Sequence, residues 1–296
     1  MVILIFISGE NIYNDITSKI YQNIGGNFIE DMNIDLPGVE NSSIAFGDYD
    51  NDGDIDLLIT GSSSSGKIAK VYQNTGGSFS EDTDINLPGI EYGSVVFGDY
   101  DNDGDLDILI SGVSDYGNIA KIYQNTDSNF HEDTSTDIVG VNYGSVDVGD
   151  YYNNGNLDIL ITGYSDNGST ARVYQNTGGN FTEDSDINLP GTYRSSVTSG
   201  DYDSDGDLDI LFSGYYRMGK VYRNTDGNFS ENTDVNLPGV YYSSVAFGDY
   251  DNDGDLDILI SGTSDSGRIA KVYRNTDGRF NEDTGIKLPG INYSSV

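Results

Sequence analysis

The chain has 296 residues, of which 49 are acidic and 14 are basic, so its formal net charge at pH 7 is −35. A surface with this charge repels phosphate backbones and anionic lipids, which excludes nucleic acid and membrane surfaces as partners. No cysteine is present, which excludes disulfides, thiolate metal sites and cysteine nucleophiles. No apolar run reaches the ~20 residues of a membrane-spanning helix. With 36% hydrophobic residues and 23 tyrosines, the chain is expected to bury a core.

In chain order, the first predicted elements are three short strands. They lie at Val2–Ser8, near Ile20–Tyr21 and near Phe28. After them the phrase Gly-Asp-Tyr-Asp-Asn-Asp-Gly-Asp recurs. Its first aspartate is Asp48, Asp99 or Asp249, and variants of the phrase start at Asp150 and Asp201. The successive spacings are 51, 51, 51 and 48 residues. The chain is therefore a repeat protein.

Each repeat predicts four short strands, which we call A to D. In the second complete repeat, the predicted strands are Ser94–Phe97, Leu106–Ile110, Ile119–Tyr123 and a stretch around Phe130. All five prolines lie in Leu-Pro-Gly turns at the same place in successive repeats. Four-stranded units with a period of roughly 40 to 50 residues are typical of propeller blades. The sequence thus predicts an all-β fold, a β-propeller of four-stranded blades.

The blade count follows from the repeats and the two ends of the chain. Repeats starting near residues 42, 93, 144, 195 and 243 predict five complete blades. Ser294–Val296 matches the opening of a strand A, and residues 1–35 supply strands B, C and D. We therefore expect a sixth, composite blade formed from residues 1–35 and 292–296, with residues 1–296 as one domain. Closure by the termini would hide the sheet edges.

The acidic loop between strands A and B carries the metal chemistry. Carboxylates at loop positions 1, 3, 5 and 9 converge when a glycine at position 6 allows a sharp turn, and calcium takes roughly six to eight such oxygens. Position 7 is expected to act through its carbonyl, with its carboxylate facing solvent. A single loop of this composition could be a hairpin turn, but four complete copies would repel strongly without a cation. We predict four structural calcium ions, with these candidate ligands: Asp48, Asp50, Asp52, Asp54, Asp56, Asp99, Asp101, Asp103, Asp105, Asp107, Asp201, Asp203, Asp205, Asp207, Asp209, Asp249, Asp251, Asp253, Asp255 and Asp257.

The third loop, residues 150–158, departs from this pattern. Tyr152 stands at position 3 and Asn154 at position 5, so that only Asp150 and Asp158 remain as carboxylates. We expect this loop to keep the turn and to bind no ion.

The chain resembles the FG-GAP or VCBS repeats of integrin α-subunit-like propellers over essentially its whole length. The segments that carry the resemblance are Phe46–Asp48, Phe97–Asp99, Phe247–Asp249, Asp56–Ile59, Asp107–Ile110 and Asp257–Ile260. The resemblance implies calcium in the A–B loops on one face and ligands bound by the B–C and D–A loops on the other. Members of the family include adhesion receptors, lectins and modules of polysaccharide-degrading enzymes.

Aromatic residues on the expected ligand face are the candidates for binding. Rings flanked by Asn, Asp and Ser suit a sugar, whose apolar face stacks while its hydroxyls bind polar groups. Linker tyrosines that recur in every blade are expected to pack blade against blade instead; they are Tyr92, Tyr143, Tyr193, Tyr242 and Tyr293. The ligand candidates are those that depart from the repeat: Tyr116, Tyr164, Tyr215, Tyr216 and Arg217.

Catalysis has little support in the sequence. The one histidine, His131, occupies a position that other repeats fill with Ile29, Ser80, Thr182, Ser230 or Asn281. We expect a non-enzymatic propeller for adhesion or ligand binding, with an extracellular protein or a glycan as partner, or with self-association. Extracellular calcium, which extracellular modules bind at roughly 10⁻⁴ to 10⁻³ M, favours a secreted or cell-surface location. Two alternatives stay open: a structural surface or fibre-forming protein, and an accessory domain of a secreted polysaccharide-active enzyme.

Overall fold

A computed structural model of the chain describes residues 4–10, 16–32, 34–216 and 218–292. Within these ranges the chain forms 23 strands and no helix. Accordingly, this described part of the chain contains no helix of the length and apolarity needed to cross a membrane. The predicted all-β class is confirmed.

The first of two compact units comprises the residues up to 99 together with 103–133. It holds three antiparallel sheets, one of three strands and two of four. The three-stranded sheet consists of β1 (Leu4–Glu10), β2 (Ile16–Ile24) and β3 (Asn27–Glu30). The four-stranded sheets are β4 (Glu40–Gly47), β5 (Asp56–Ser63), β6 (Gly66–Thr75) and β7 (Ser78–Glu81), followed by β8 (Glu91–Gly98), β9 (Asp107–Ser114), β10 (Gly117–Thr126) and β11 (Asn129–Glu132).

The second unit comprises residues 100–102 and the chain from 134 onward, and it holds three four-stranded antiparallel sheets. The first sheet is β12 (Asn142–Gly149), β13 (Asp158–Ser165), β14 (Gly168–Asn176) and β15 (Phe181–Glu183). The second is β16 (Ser196–Gly200), β17 (Asp209–Gly214), β18 (Met218–Thr225) and β19 (Asn228–Glu231). The third is β20 (Tyr241–Gly248), β21 (Asp257–Ser264), β22 (Gly267–Thr276) and β23 (Arg279–Glu282).

In every four-stranded sheet the strands pair in chain order, which is the A-B-C-D order predicted for a blade. The predicted strands are present but longer, since strand B of the second complete repeat runs to Ser114 and strand C to Thr126. The three N-terminal strands are also confirmed. The predicted strand A at Ser294–Val296 lies outside the described residues, so closure by the termini and the single-domain organisation stay predictions.

Strand B is the most buried strand of each blade. In β9, the consecutive residues Ile108, Leu109 and Ile110 are all completely buried, although alternate side chains of a strand point to opposite faces. Both faces of this strand are therefore covered. In the first unit, Leu58 and Val95 pack in one cluster with Ile108 and Ile110, which joins the sheet β4–β7 to the sheet β8–β11.

Four of the five complete strands A open with a bulge that contains a residue of positive φ. The register shifts lie after Glu40, Glu91, Asn142 and Tyr241, and Tyr92, Tyr143 and Tyr242 have φ between 48° and 51°. Arg194 has φ of 50° ahead of the shortened strand β16. Arg194, and not Tyr193, is thus the counterpart of the linker tyrosines, and Tyr193 lies one residue earlier.

A buried asparagine near the end of strand C joins neighbouring blades. The Asn125 side-chain amide donates to the carbonyl of Tyr49 in the preceding blade at 2.8 Å and to the carbonyl of Leu106 at 3.1 Å. The same donation to a tyrosine carbonyl recurs from Asn176, Asn224 and Asn275 at 2.7 to 2.8 Å. Sequence analysis missed this bridge, although the invariance of the Asn-Thr pair in successive repeats was a signal for it.

Candidate functional site

The acidic loops connect strand A to strand B, and the first loop, Asp48–Asp56, shows their common frame. The carboxylate of Asp48 accepts hydrogen bonds from the backbone N–H groups of Asp52 and Gly53, both at 3.0 Å. Gly53 has φ of 94° and Asn51 has φ of 57°, conformations that glycine and asparagine tolerate best. The chain therefore coils tightly around the first carboxylate, as predicted.

The ninth residue of the loop is a buried carboxylate held by two backbone amides. Asp56 accepts hydrogen bonds from the N–H of Tyr49 at 3.0 Å and of Asn74 at 2.8 Å. Its burial raises the pKa of Asp56 to about 6, against the opposing effect of these two hydrogen bonds. In the fourth loop burial raises the pKa of Asp209 to about 7. A cation beside these groups would favour their ionised forms.

In four loops the carboxylates at positions 1, 3 and 9 come together. The ligand oxygens of each triplet lie within 4.8 Å of one another. The triplets are Asp48, Asp50 and Asp56; Asp99, Asp101 and Asp107; Asp201, Asp203 and Asp209; and Asp249, Asp251 and Asp257. Position 5, predicted as a further ligand, lies outside these triplets; the Oδ1 atom of its aspartate accepts a backbone N–H two residues later at 2.9 to 3.1 Å.

The donor set of these triplets fits calcium. Three carboxylates at this separation repel each other unless a cation lies between them. Among the described residues, the buried Oδ1 atoms of Asp203 and Asp251 accept no hydrogen bond, which costs free energy that a bound cation would offset. All donors are oxygens, the preference of calcium, and the flexible geometry of calcium suits them better than the strict octahedron of magnesium.

The carboxylate at position 7 makes hydrogen bonds to other strands in addition to facing solvent in part. The Asp105 carboxylate accepts a hydrogen bond from the backbone N–H of Asp127 at 2.9 Å and another from the Asn51 side chain of the preceding blade at 2.8 Å. Its counterparts Asp54, Asp207 and Asp255 accept backbone N–H groups of the C–D hairpin at 2.6 to 3.1 Å. These side chains stay partly exposed, and their partners on other strands cannot be read from the loop alone.

The third loop keeps the frame of the others and replaces the cluster with tyrosine. Asp150 accepts the N–H groups of Asn154 at 2.8 Å and Gly155 at 2.7 Å. The Tyr152 hydroxyl donates to Asp184 at 2.7 Å. Within the described ranges, this loop is in none of the carboxylate triplets. That it binds no ion stays a prediction.

In the third loop, the hydroxyl of the neighbouring tyrosine, Tyr151, binds a partly buried acid. The Tyr151 hydroxyl donates to Asp147 at 2.7 Å. Burial raises the pKa of Asp147 above its usual value, although hydrogen bonds from Ser199 and Tyr151 lower it. Other blades carry Ala45, Val96, Thr198 and Ala246 at this position.

We expect the stability of the chain to depend on the ionisation of Asp147. Because its pKa in the folded state is raised, its contribution to stability is present at low pH and is lost as the pH rises through the folded pKa. Asp147→Asn should therefore cost stability at pH 5 and cost less at pH 8. Urea unfolding of both proteins in chelator at the two pH values measures this, and a difference that does not change with pH contradicts it.

The ligand candidates divide between the two units. Tyr116, in the β9–β10 hairpin of the first unit, is 98% exposed and lies at a cleft of about 570 Å³ that Leu87 and Pro88 also line. Tyr164, Tyr215 and Tyr216 belong to the second unit, where all three lie against Tyr193. Arg217 lies outside the described residues.

We call Tyr164, Tyr193, Tyr215 and Tyr216 the tyrosine cluster. The ring centroids of Tyr164 and Tyr216 lie 5.4 and 6.3 Å from that of Tyr193, at interplanar angles of 71° and 80°. Tyr215 lies closer, at 4.6 Å. Tyr164 is 45% exposed and Tyr216 is 66% exposed, so two rings of the cluster face solvent.

An arginine supports the tyrosine cluster from one side. The Arg194 guanidinium lies 5.7 Å from the Tyr193 ring centroid, 5.5 Å from that of Tyr143 and 4.5 Å from that of Tyr242. The Arg194 N–H donates to the carbonyl of Tyr143, and the Tyr242 N–H donates to the carbonyl of Arg194. The expectation that linker tyrosines pack between blades is confirmed for Tyr143 and Tyr242.

Three segments of the chain match the family model described as FG-GAP-like repeat. They are residues 48–110, 150–212 and 201–260, which together make up more than half of the chain. The resemblance stated from the loop motifs is thereby confirmed. A search of curated proteins found no match.

Among solved structures, the chain is similar to the structure of YjhT, with 11% identity and a TM-score of 0.54 over 90% of this chain and 91% of that one. It is also similar to two structures of Trypanosoma rangeli sialidase, one of them in complex with the inhibitor DANA. The identities are 10% and 11% and the TM-scores 0.45 and 0.43, over 90% and 91% of this chain but only 49% and 50% of the sialidase. At such identity the likeness to YjhT concerns the fold alone. With the sheet order, it confirms the β-propeller of four-stranded blades.

Proposed function

Because the chain belongs to the FG-GAP-like repeat family, we propose that it is a non-catalytic β-propeller that is stabilised by calcium and binds a glycan outside the cell. The observation that carries the proposal is the tyrosine cluster. There, candidate residues from two hairpins, which depart from the repeat, meet on one surface of the second unit.

Calcium has a structural role in this proposal. Each carboxylate triplet lies in the loop that joins strands A and B, and its members also bind the loop backbone. An ion in that loop would hold both strands and relieve the repulsion between carboxylates. Only the folded chain brings positions 1, 3 and 9 together, so binding would stabilise the fold by mass action. In each filled loop, the residues of the triplet would hold the ion.

The tyrosine cluster suits the apolar face of a sugar ring. Exposed aromatic rings give contact area at low entropic cost, and nearby polar groups fix the orientation of hydroxyls. Asp166 and Asn167 follow Tyr164 and Ser165 in the β13–β14 hairpin, and both are exposed. This combination of rings and polar side chains supports a glycan rather than an apolar ligand.

The described clefts support a binding role over hydrolysis. Most glycoside hydrolases need a pair of carboxyl groups at the scissile bond. The cleft at Tyr116 is lined by one carboxylate, Glu132, which is paired with Lys121 at 2.6 Å. His131 is exposed on strand β11. The proposed extracellular location is supported by the acidic loops, because loops of this type bind calcium at the high concentration found outside cells.

A glycan array probed with the intact chain in calcium tests the proposal. We expect binding that falls at least tenfold in Tyr164→Ala/Tyr216→Ala with little change in melting temperature, because both side chains are exposed. Tyr116→Ala, an exposed tyrosine of the other unit, is the matched control and should bind normally. Loss of binding in Tyr116→Ala alone would move the site to the first unit. No glycan binding, together with concentration-dependent assembly, would favour a surface or fibre protein.

A further inference from the structure

The acidic loops that bear a carboxylate triplet differ in one residue that contacts them from strand C. The residue before the buried asparagine is glutamine in the first three complete blades, Gln73, Gln124 and Gln175. It is arginine in the last two, Arg223 and Arg274. The substitution changes the charge beside the fourth and fifth acidic loops.

Both arginines bind the carboxylates of their loops in the same way. Arg223 Nε lies 2.9 Å from Asp203 Oδ2, and its Nη2 lies 2.7 Å from Asp205 Oδ2. Arg274 makes the equivalent pairs with Asp251 at 2.8 Å and with Asp253 at 2.9 Å. The guanidinium therefore bridges loop positions 3 and 5 in both loops.

In the first loop, the same place is taken by a neutral group. The Gln73 side-chain amide donates a hydrogen bond to Asp50, which is position 3 of that loop. The amide satisfies one carboxylate oxygen and adds no net charge. A cation that enters this loop meets the full negative charge of its carboxylates.

The arginine changes the electrostatics of the carboxylates that it contacts. Arg223 and Arg274 each place a positive charge 2.7 to 2.9 Å from the oxygens of two loop carboxylates. Hydrogen bonds between a guanidinium and carboxylates are charge-assisted and stronger than those between neutral groups. A divalent ion in such a loop must share carboxylate groups with a fixed positive charge and is repelled by it.

We propose that the chain has two classes of calcium site, and that Arg223 and Arg274 are built-in competitors that weaken the second class. The first class consists of the loops 48–56 and 99–107, and the second of the loops 201–209 and 249–257. This inference rests on the proposed function, in which the four loops bind calcium. The first class fills at low calcium, whereas the second responds to a higher concentration. Part of the propeller is thus sensitive to the calcium level.

Calorimetric titration of the full chain, stripped of metal with chelator, tests the proposal. We expect two ions to bind with a Kd roughly tenfold lower than the other two, the size expected for repulsion between neighbouring like charges in a water-like medium. In the double variant Arg223→Gln/Arg274→Gln, the two weak sites should bind calcium with the same Kd as the two strong sites. In Gln73→Arg/Gln124→Arg all four sites should be weak.

Two controls separate charge at the loop from other effects. Arg279→Gln removes one positive charge at an exposed position of strand β23 and should leave both classes in place. Arg223→Lys keeps the charge and should keep its site weak. In chelator, Arg223→Gln/Arg274→Gln should melt several degrees below the unaltered chain because no cation then offsets the clustered carboxylates.

Four equal sites in the unaltered chain would overturn the two-class proposal and leave the calcium proposal intact. An unchanged weak class in Arg223→Gln/Arg274→Gln, with a normal β circular-dichroism spectrum, would also overturn it. Absence of any calcium binding would instead contradict the proposed function itself, so the two failures are distinguishable.

Discussion

Removal of calcium should lower the melting temperature of the chain by on the order of 10 °C. At ten times its Kd, an ion that binds only the folded state stabilises it by about 1.4 kcal/mol per site. Four sites, each at ten times its own Kd, then contribute roughly 6 kcal/mol, and a protein of this size loses a few degrees per kcal/mol. The effect is large because the four triplets lie in four different blades. A partial loss would point to sites that are only partly filled.

Thermal unfolding followed by circular dichroism, in millimolar calcium and in excess EGTA, measures this effect. Magnesium at the same concentration is the control for ionic strength and divalent charge, and it should restore little of the stability because these oxygens are not an octahedral site. Equal melting in calcium and in EGTA would rule out a structural role for calcium in the loops.

Asp56→Ala should destabilise the chain more than Asp158→Ala when calcium is present. Both residues occupy position 9, are buried, and accept hydrogen bonds from two backbone amides at 2.7 to 3.0 Å. Each substitution leaves those amides unsatisfied, at a cost of about 2 to 4 kcal/mol. Asp56 also belongs to a carboxylate triplet, whereas Asp158 does not. The first variant therefore loses an ion in addition.

Urea unfolding of the two variants in calcium and in chelator separates these contributions. We expect a difference of about 1 to 2 kcal/mol in calcium, the contribution of one site, which becomes small in chelator. Asp158→Ala serves as the matched control because burial raises the pKa of Asp158 to about 6, as it does for Asp56. If both variants lose the same free energy of unfolding in calcium, an ion in the first loop does not stabilise the fold.

The strands could be predicted from the sequence because every blade buries the same pattern. The run around Ile108 and Leu109 recurs in each repeat between glycine-rich and aspartate-rich turns, and both side chains are completely buried. Because this apolar run and its flanking turns recur in every repeat, the order of strands and loops can be predicted from the sequence alone. The carboxylate triplets could be predicted for the same reason, since their spacing within nine residues is local.

Contacts between distant parts of the chain could not be predicted in the same way. The Asp105 carboxylate binds Asn51, which is 54 residues away, and a local comparison of loops does not report such a partner. Arg194 occupies the position that a linker tyrosine holds in other blades, and Tyr193 lies one residue earlier. The positive φ angle of Arg194 reveals this alignment. The sequence shows that Arg223 occupies the position that Gln73 holds in the first complete blade. Only the distances from Arg223 to Asp203 and Asp205 show that it binds the acidic loop.

The tyrosine cluster illustrates what the repeats left undetermined. Tyr164, Tyr215 and Tyr216 are predicted ligand residues because they depart from the repeat, whereas the sequence predicts a packing role for Tyr193, which contacts all three. Side chains from the β13–β14 and β17–β18 hairpins converge on Tyr193. Whether these rings meet depends on how the hairpins pack, which the spacing of residues along the sequence does not determine.

In the proposed function, four of the five acidic loops bind calcium. Anomalous scattering from crystals of the calcium-loaded chain locates and counts the ions directly. We predict four calcium peaks, in the loops that begin at Asp48, Asp99, Asp201 and Asp249, and none in the loop that begins at Asp150. No peak in any of the four loops, or a fifth peak beside Tyr152, would contradict this account.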